Sequence, residues 1–156
     1  MFLHFWLRYV WPNLADLELE RVEEVWARRV EPDLATYVAM RAERSLIPLL
    51  AQAPLREWLG FSPSFVGRYW DPAMEIDLVA LDAERRTAGL CEVKWSTRPV
   101  GVDVARTLRA KAAAVPELSG CRCRFVLFSR SGFTSELART APEDLRLVDL
   151  RTFKPG

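Results

Sequence analysis

An α/β fold, with helices leading into three consecutive strands and then into alternating helix and strand, is what this 156-residue sequence predicts. Three observations predict it. Residues 74–81 and 87–95 both read as strands, and the polar Asp82-Ala83-Glu84-Arg85-Arg86 between them reads as a hairpin turn. Residues 103–115 are Ala-rich, with Val104, Leu108 and Ala112 on one side, which is helical spacing. Residues 124–129 form a short, continuous apolar run, the pattern of a strand buried in a parallel position. The length suits one domain with its own core, and the apolar half of the composition is a globular value.

The elements follow in order. Phe2, Phe5, Trp6, Tyr9 and Trp11 recur at helical spacing, and Pro12 is expected to end that short helix. This aromatic face reads either as a docking surface for a partner or second subunit, or as a helix folded back on its own core. Residues 16–30 read as an amphipathic helix with Leu19, Val22, Val25, Trp26 and Val30 on its apolar side. Pro32 and Asp33 are expected to open a helix to about Leu50, kinked or restarted at Pro48. Residues 51–63, rich in Pro and Gly, read as a connection. Phe65–Trp70 reads as the first strand and Asp71-Pro72 as a turn. After residues 103–115, which Arg98-Pro99-Val100-Gly101 separates from the third strand, Arg106, Arg109 and Lys111 are placed on the polar side of the helix. Thr134 is a candidate N-cap for a short helix, and residues 145–150 are the last strand. The predicted division is a single domain over 1–156, with a helical N-terminal extension at 1–31 and a core at 32–153. No internal repeat is read, and no disordered tail beyond Lys154 to Gly156.

Composition narrows the setting. The formal net charge is +1, so nothing in the overall charge demands nucleic acid. The basic residues are nineteen Arg and three Lys. Arg suits phosphate better than Lys, but a GC-rich genome or surface ion pairing accounts for the bias equally. Cys91, Cys121 and Cys123 are odd in number and lack framework or zinc spacing, which suits a reducing, cytoplasmic setting. The apolar stretch 1–10 is interrupted by Arg8 and too short to cross a membrane, so no membrane association is expected.

The chemistry centres on Glu92-Val93-Lys94, with Asp77 fifteen positions before Glu92. Glu92 and Lys94 project from the same face of a strand. Folding the hairpin about residues 83–85 brings Asp77 opposite Cys91 or Glu92. Two carboxylates and an ammonium can hold a divalent cation by hard oxygens and set a lysine beside an attacking water. An exposed strand carrying a same-face ion pair gives the same pattern, so a solvated face stays open. Glu43 stands in an apolar arc with Ala39, Met40, Leu46, Ile47 and Leu50. Left unpaired there it would cost several kcal/mol, roughly, so it calls for a partner. Arg41, Arg44 and Arg68 are candidates for that partner.

The segments Phe5-Trp6-Leu7-Arg8-Tyr9-Val10-Trp11-Pro12-Asn13, Val66-Gly67-Arg68-Tyr69-Trp70, Glu75-Ile76-Asp77-Leu78-Val79-Ala80-Leu81, Glu92-Val93-Lys94-Trp95, Arg98-Pro99-Val100 and Phe125-Val126-Leu127-Phe128-Ser129-Arg130-Ser131-Gly132-Phe133 follow one another in this order. The series resembles the nuclease-like domain at the C-terminus of the archaeal-type ATPase family, within the PD-(D/E)XK nuclease superfamily. The resemblance covers nearly the whole chain. It implies a restriction-endonuclease-like αβββαβ core with N-terminal helical additions, and metal-dependent hydrolysis of DNA phosphodiesters with Mg2+ or Mn2+. It implies that Asp77 and Glu92 ligate the metal, joined by the Val93 carbonyl. Lys94 would orient the water, and Glu43 would be an outer or additional ligand. Arg68, Arg98, Arg109 and Arg130 are candidate phosphate contacts, which would give affinity without sequence reading. The chain has no G-x-x-x-x-G-K-[ST] loop, so ATP-driven work would need a partner ATPase chain. A stand-alone relative, a split gene and a truncated ATPase all fit that departure. Two rival readings stay open: a non-catalytic module that docks an ATPase or forms a homodimer, and nucleic-acid binding without cleavage.

Overall fold

A computed structural model describes residues 2–52 and 55–152. The expected core limit at Phe153 and the tail from Lys154 lie outside them. The contacts divide the chain into two compact units, Met1–Ala42 and Glu43–Gly156. The boundary falls inside one long helix rather than after residue 31, because that helix runs from Glu31 to Gln52 without restarting at Pro32 or Pro48.

The first unit is helical. The turns α1 (Phe2–Phe5) and α2 (Leu14–Glu18) are joined by a π-turn and a 3-10 turn, and α3 (Val22–Val25) and α4 (Glu31–Gln52) by a second π-turn. Pro32 stands at the start of α4 as expected, but Pro12 does not end its helical stretch and the backbone winds on through both, for a local reason. Both follow a π-turn, at Trp6–Val10 and Trp26–Val30, closed by the N–H groups of Trp11 and Glu31 on the carbonyls of Trp6 and Trp26. A proline cannot donate to the carbonyl four residues back, and its ring presses against it. Widening the preceding turn relieves the clash without ending the helix. Both turns occupy the same heptapeptide pattern, Trp-x-Arg-x-Val-x-Pro, at residues 6–12 and 26–32. This is a short internal repeat, where none was expected. The helix expected over 16–30 is broken instead at Leu19–Arg21, where Glu20 takes a left-handed φ of 59°. The aromatic stripe divides: Tyr9 and Phe5 pack with Tyr37, whereas Phe2 and Trp11 are exposed. Asp33 ties this unit by accepting from the Tyr9 hydroxyl at 2.6 Å and the Arg8 guanidinium at 2.7 Å.

The second unit is mixed α/β, built on a five-stranded sheet in the order β1-β2-β3-β4-β5. The strands are β1 (Phe65–Trp70), β2 (Glu75–Asp82), β3 (Thr87–Lys94), β4 (Arg122–Ser129) and β5 (Leu145–Asp149). The first three are antiparallel; β4 and β5 run parallel to β3. The short α5 (Leu55–Leu59) lies where the sequence suggested only a connection. Its apolar Leu55, Trp58 and Leu59 at offsets of three and four carry the helical signal. Then come α6 (Val102–Ala114), after β3, and α7 (Ser135–Thr140), whose N-terminus is capped by the Thr134 hydroxyl, 3.2 Å from the Leu137 N–H.

Both faces of the sheet are covered. Ile76, Val79, Leu90, Phe125 and Leu127 meet Ala105, Leu108 and Ala112 of α6. Leu78, Ala80, Cys91, Val93, Val126 and Phe128 meet Ile47 and Leu50 of α4 and Leu55 and Leu59 of α5. A strand buried on both sides needs a long apolar run, which is why β4 reads that way. Among the described residues no helix is long and apolar enough to cross a membrane.

Gly89 in the middle of β3 is where α5 comes closest. A Cβ there would fall against the side chain of Leu59, which is fully buried. Gly89→Ala is expected to lower the free energy of unfolding by about 1–3 kcal/mol through overpacking, read as an earlier midpoint in urea denaturation. An unchanged midpoint would mean that α5 is not seated on the sheet.

Candidate active site

The site arises where β2 and β3 part. Their ladder runs from Asp82↔Thr87 to Leu78↔Cys91. Beyond it β2 stays paired with β1 through Ile76 and Glu75, and β3 stays paired with β4 through Lys94. Of the two partners expected for Asp77, Cys91 is therefore taken by Leu78, and the register continued by one step faces Asp77 toward Glu92. At the same place β2 carries an extra residue. Gly67 pairs with Val79 and Tyr69 with Ile76, so the single Arg68 faces both Asp77 and Leu78. The sidedness confirms the bulge: Ile76 and Val79 pack with α6, but Leu78 packs with α4 and α5. A bulge re-aims a side chain, and here it turns Asp77 into the gap between the strands.

The gap releases backbone donors on the edge of β3. The Val93 N–H donates to Asp77 Oδ2 at 2.8 Å. Two residues on, the Trp95 N–H donates to Glu43 Oε1 at 2.9 Å. The partner that Glu43 needed is thus a main-chain N–H rather than one of the arginines considered for it. The Val93 carbonyl shares the edge that Asp77 approaches, since the N–H and C=O of a strand residue point the same way.

Glu92 and Lys94 face α6. Glu92 is buried, with 7% of its surface exposed. This removes the solvated-face alternative for it. Its Oε1 accepts from Lys94 Nζ at 2.8 Å and its Oε2 from Lys111 Nζ at 3.0 Å. A buried carboxylate persists only when paired and hydrogen-bonded, and both of its oxygens are. Lys111 was placed on the polar side of its helix by sequence. It stands seven past Val104 and three past Leu108, however, which puts it on the stripe facing the sheet. That spacing was the available signal for it.

The electrostatics follow from burial and neighbours. Burial raises the pKa of Asp77 above the ordinary carboxylate value, and the charges of Glu92 and Glu43 add to this. The Val93 hydrogen bond and the Lys94 charge oppose it without cancelling it. For Lys94, burial disfavours the ammonium, but the Glu92 hydrogen bond and charge, with Glu43 and Asp77, outweigh it and raise the pKa. Lys94 is therefore a fixed cation at neutral pH.

The candidate arginines are distributed differently. Arg130 lies over the Trp95 ring, 5.1 Å from its centroid, beside the backbone group that Glu43 holds. Arg98 is exposed in the turn after β3. Arg68 pairs with Glu75. Arg109 makes two hydrogen bonds to Asp144 at 2.8 and 2.6 Å and covers the Phe125 ring, near the opposite end of β4.

The oxygens are of the hard type that suits Mg2+ or Mn2+, but they are not arranged as a ligand set. Among the described residues no three His, Cys, Asp or Glu side chains are grouped to hold a metal ion. Glu92 has an ammonium on each oxygen, and Asp77 and Glu43 each hold a backbone N–H.

A family model named DUF234, described as "Archaea bacterial proteins of unknown function", matches residues 6–110. That stretch contains Glu43, Asp77, Glu92 and Lys94. A curated relative from Methanocaldococcus jannaschii, described as an uncharacterized protein, is 31% identical over 94 residues, or 60% of this chain and 21% of the relative. The chain thus spans about a fifth of that relative's length. No solved structure matches the chain.

The raised pKa of Asp77 has a definite sign in stability. Well below the ordinary value of 3.8 the carboxyl is neutral in both folded and unfolded chains. As pH rises through the folded pKa, the folded state must carry a disfavoured charge, and stability is lost. Asp77→Asn keeps an oxygen for the Val93 N–H and removes that charge. Thermal melting from acid to neutral pH is expected to show the variant gaining on the wild type as pH rises. A gap that moves the other way would mean that the carboxylate is net stabilised where it sits.

Proposed function

We propose that this chain, which belongs to the DUF234 family, is a nuclease-like domain of the PD-(D/E)XK kind that hydrolyses phosphodiester bonds in DNA. The observation that carries the reading is the gathering of Asp77, Glu92, Lys94 and Glu43 at the parted ends of β2 and β3. The order of elements supports it: helix, three antiparallel strands, helix, parallel strand, helix, parallel strand. The αβββαβ order that the resemblance implies has its counterpart in the elements up to β4, with further helices before it and α7 and β5 after it.

Phosphodiester hydrolysis places negative charge on the phosphoryl oxygens and on the leaving oxygen. A preorganised ammonium in a partly dry site is worth more against that charge than one in water. Lys94 meets the requirement, because Glu92 fixes its position and its neighbours keep it charged. Asp77 sits beside it with a raised proton affinity, which suits a group that takes a proton from the attacking water. Arg130 and Arg98, after the ends of β4 and β3, are the cations available to hold flanking phosphates. Mg2+ or Mn2+ is the cofactor class that these oxygens suit, once Glu92 gives up one of its ammonium groups.

A second reading is favoured by a separate observation. In the first unit Phe2, Leu3, Leu7 and Trp11 are all more than half exposed. Apolar surface of that kind marks an interaction site more often than a solvated face. This supports a docking or dimerisation module, of which an ATPase chain is one candidate partner.

The nuclease reading is tested with linear and nicked DNA and with RNA, in Mg2+ or Mn2+. Cleavage is expected, and Lys94→Ala is expected to slow it by roughly two to three orders of magnitude. Cleavage of none of these by a folded wild-type chain would sink the reading and leave the interaction module.

A further inference from the structure

The two Trp-x-Arg-x-Val-x-Pro stretches together line a cleft of about 540 Å³. Its walls are paired by the repeat: Arg8 with Arg28, Pro12 with Pro32 and Asn13 with Asp33 each stand at one distance from the tryptophan that opens their copy. A fourth shared position holds Tyr9 in the first copy and Arg29 in the second. The cleft is thus made twice from one pattern, and it lies wholly within the first unit. Its three arginines all stand on the two π-turns, Trp6–Val10 and Trp26–Val30. Widened turns of this kind recur at functional sites.

The copies differ in how their charges are held. The Arg8 guanidinium donates to Asp33 Oδ2 at 2.7 Å, and the Tyr9 hydroxyl donates to the same oxygen. At the position equivalent to Asp33 the first copy has Asn13, a neutral amide whose Nδ2 donates to the Tyr9 carbonyl at 2.8 Å. The first copy therefore offers Arg28 and Arg29 no carboxylate. Arg28 pairs with Glu24, one turn back along its own stretch and outside the cleft lining. Both side chains are well exposed, and a surface pair of that spacing holds weakly. Among the described residues no hydrogen bond, ion pair or ring contact holds the exposed Arg29 side chain.

Three guanidinium groups and one carboxylate line the cleft, an excess of two positive charges. Guanidinium forks match the oxygens of phosphate and keep their charge at any working pH. A phosphodiester brings one negative charge to them, whereas a phosphomonoester brings about 1.5 to 2. We infer that this cleft binds a phosphomonoester, on the end of a nucleic acid or on a small molecule, and that Arg28 and Arg29 take its oxygens. The inference does not rest on the nuclease reading, whose residues all lie in the second unit.

The test uses the whole chain in EDTA, so that no metal-dependent cleavage intervenes. Fluorescence anisotropy compares a DNA oligonucleotide bearing a 5′-phosphate with its unphosphorylated twin, and calorimetry follows inorganic phosphate. Wild type is expected to prefer the phosphorylated oligonucleotide by roughly tenfold or more if the source is a nucleic-acid end. If the source is a small molecule, inorganic phosphate is expected to bind without that preference. In either case Arg29→Gln is expected to lose the phosphate-dependent binding while its melting temperature stays unchanged, because nothing in the fold leans on that side chain. Asn13→Asp keeps every arginine but adds the carboxylate that Asp33 supplies in the other copy, and it is expected to weaken phosphate binding as well. A wild type that neither prefers the phosphorylated end nor binds inorganic phosphate overturns the inference. So does phosphate binding that survives undiminished in both variants, since the anion would then be held elsewhere.

Discussion

The hydrogen bond from the Val93 N–H to the Asp77 carboxylate is the contact on which the rest of the site depends. Once β2 and β3 part, a buried strand is left with backbone donors facing a gap, and an orphaned donor costs about as much as a lost hydrogen bond. Asp77 satisfies one of them and Glu43 the next. Each carboxylate therefore has a structural role before any chemistry is asked of it. Those two bonds fix where the carboxylates stand, and the bulge at Asp77 makes the first possible.

Around that edge the charges arrive from three directions. Asp77 comes within the sheet, Glu43 from α4, and Glu92 with its two lysines on the side of α6. The three carboxylates and two ammoniums leave one formal negative charge in a place that water reaches poorly. The same crowding raises the proton affinity of Asp77 and keeps Lys94 charged.

Legibility in the sequence tracked how much each feature depends on local pattern. The strands were readable because apolar runs and polar turns set their limits to within a residue or two. Asp77, Glu92 and Lys94 were readable because their hairpin is short. Lys111 was not, since its role depends on which face of α6 meets the sheet, and the alanines there blur the stripe. The helical limits of the first unit were misread for a different reason. Pro12 looks like a stop and Pro32 like a start, but a widened turn ahead of each absorbs the ring and the helical backbone runs on. Glu20 looks like ordinary helix and instead takes a left-handed turn. Glu43 was singled out correctly as needing a partner. That the partner is a backbone N–H at a strand end, 52 residues away, is a tertiary fact with no local trace.

The bulge also separates what the packing of the sheet requires from what the site requires. With Asp77 removed, Ile76 and Leu78 would become neighbours on opposite faces, as their packing already requires, and β2 would alternate without a break. No apolar contact of the sheet needs the extra residue. The place of Asp77 in the strand is thus set by its hydrogen bond with the Val93 N–H and not by apolar packing. Its side chain is held at a raised pKa that works against the folded state at neutral pH.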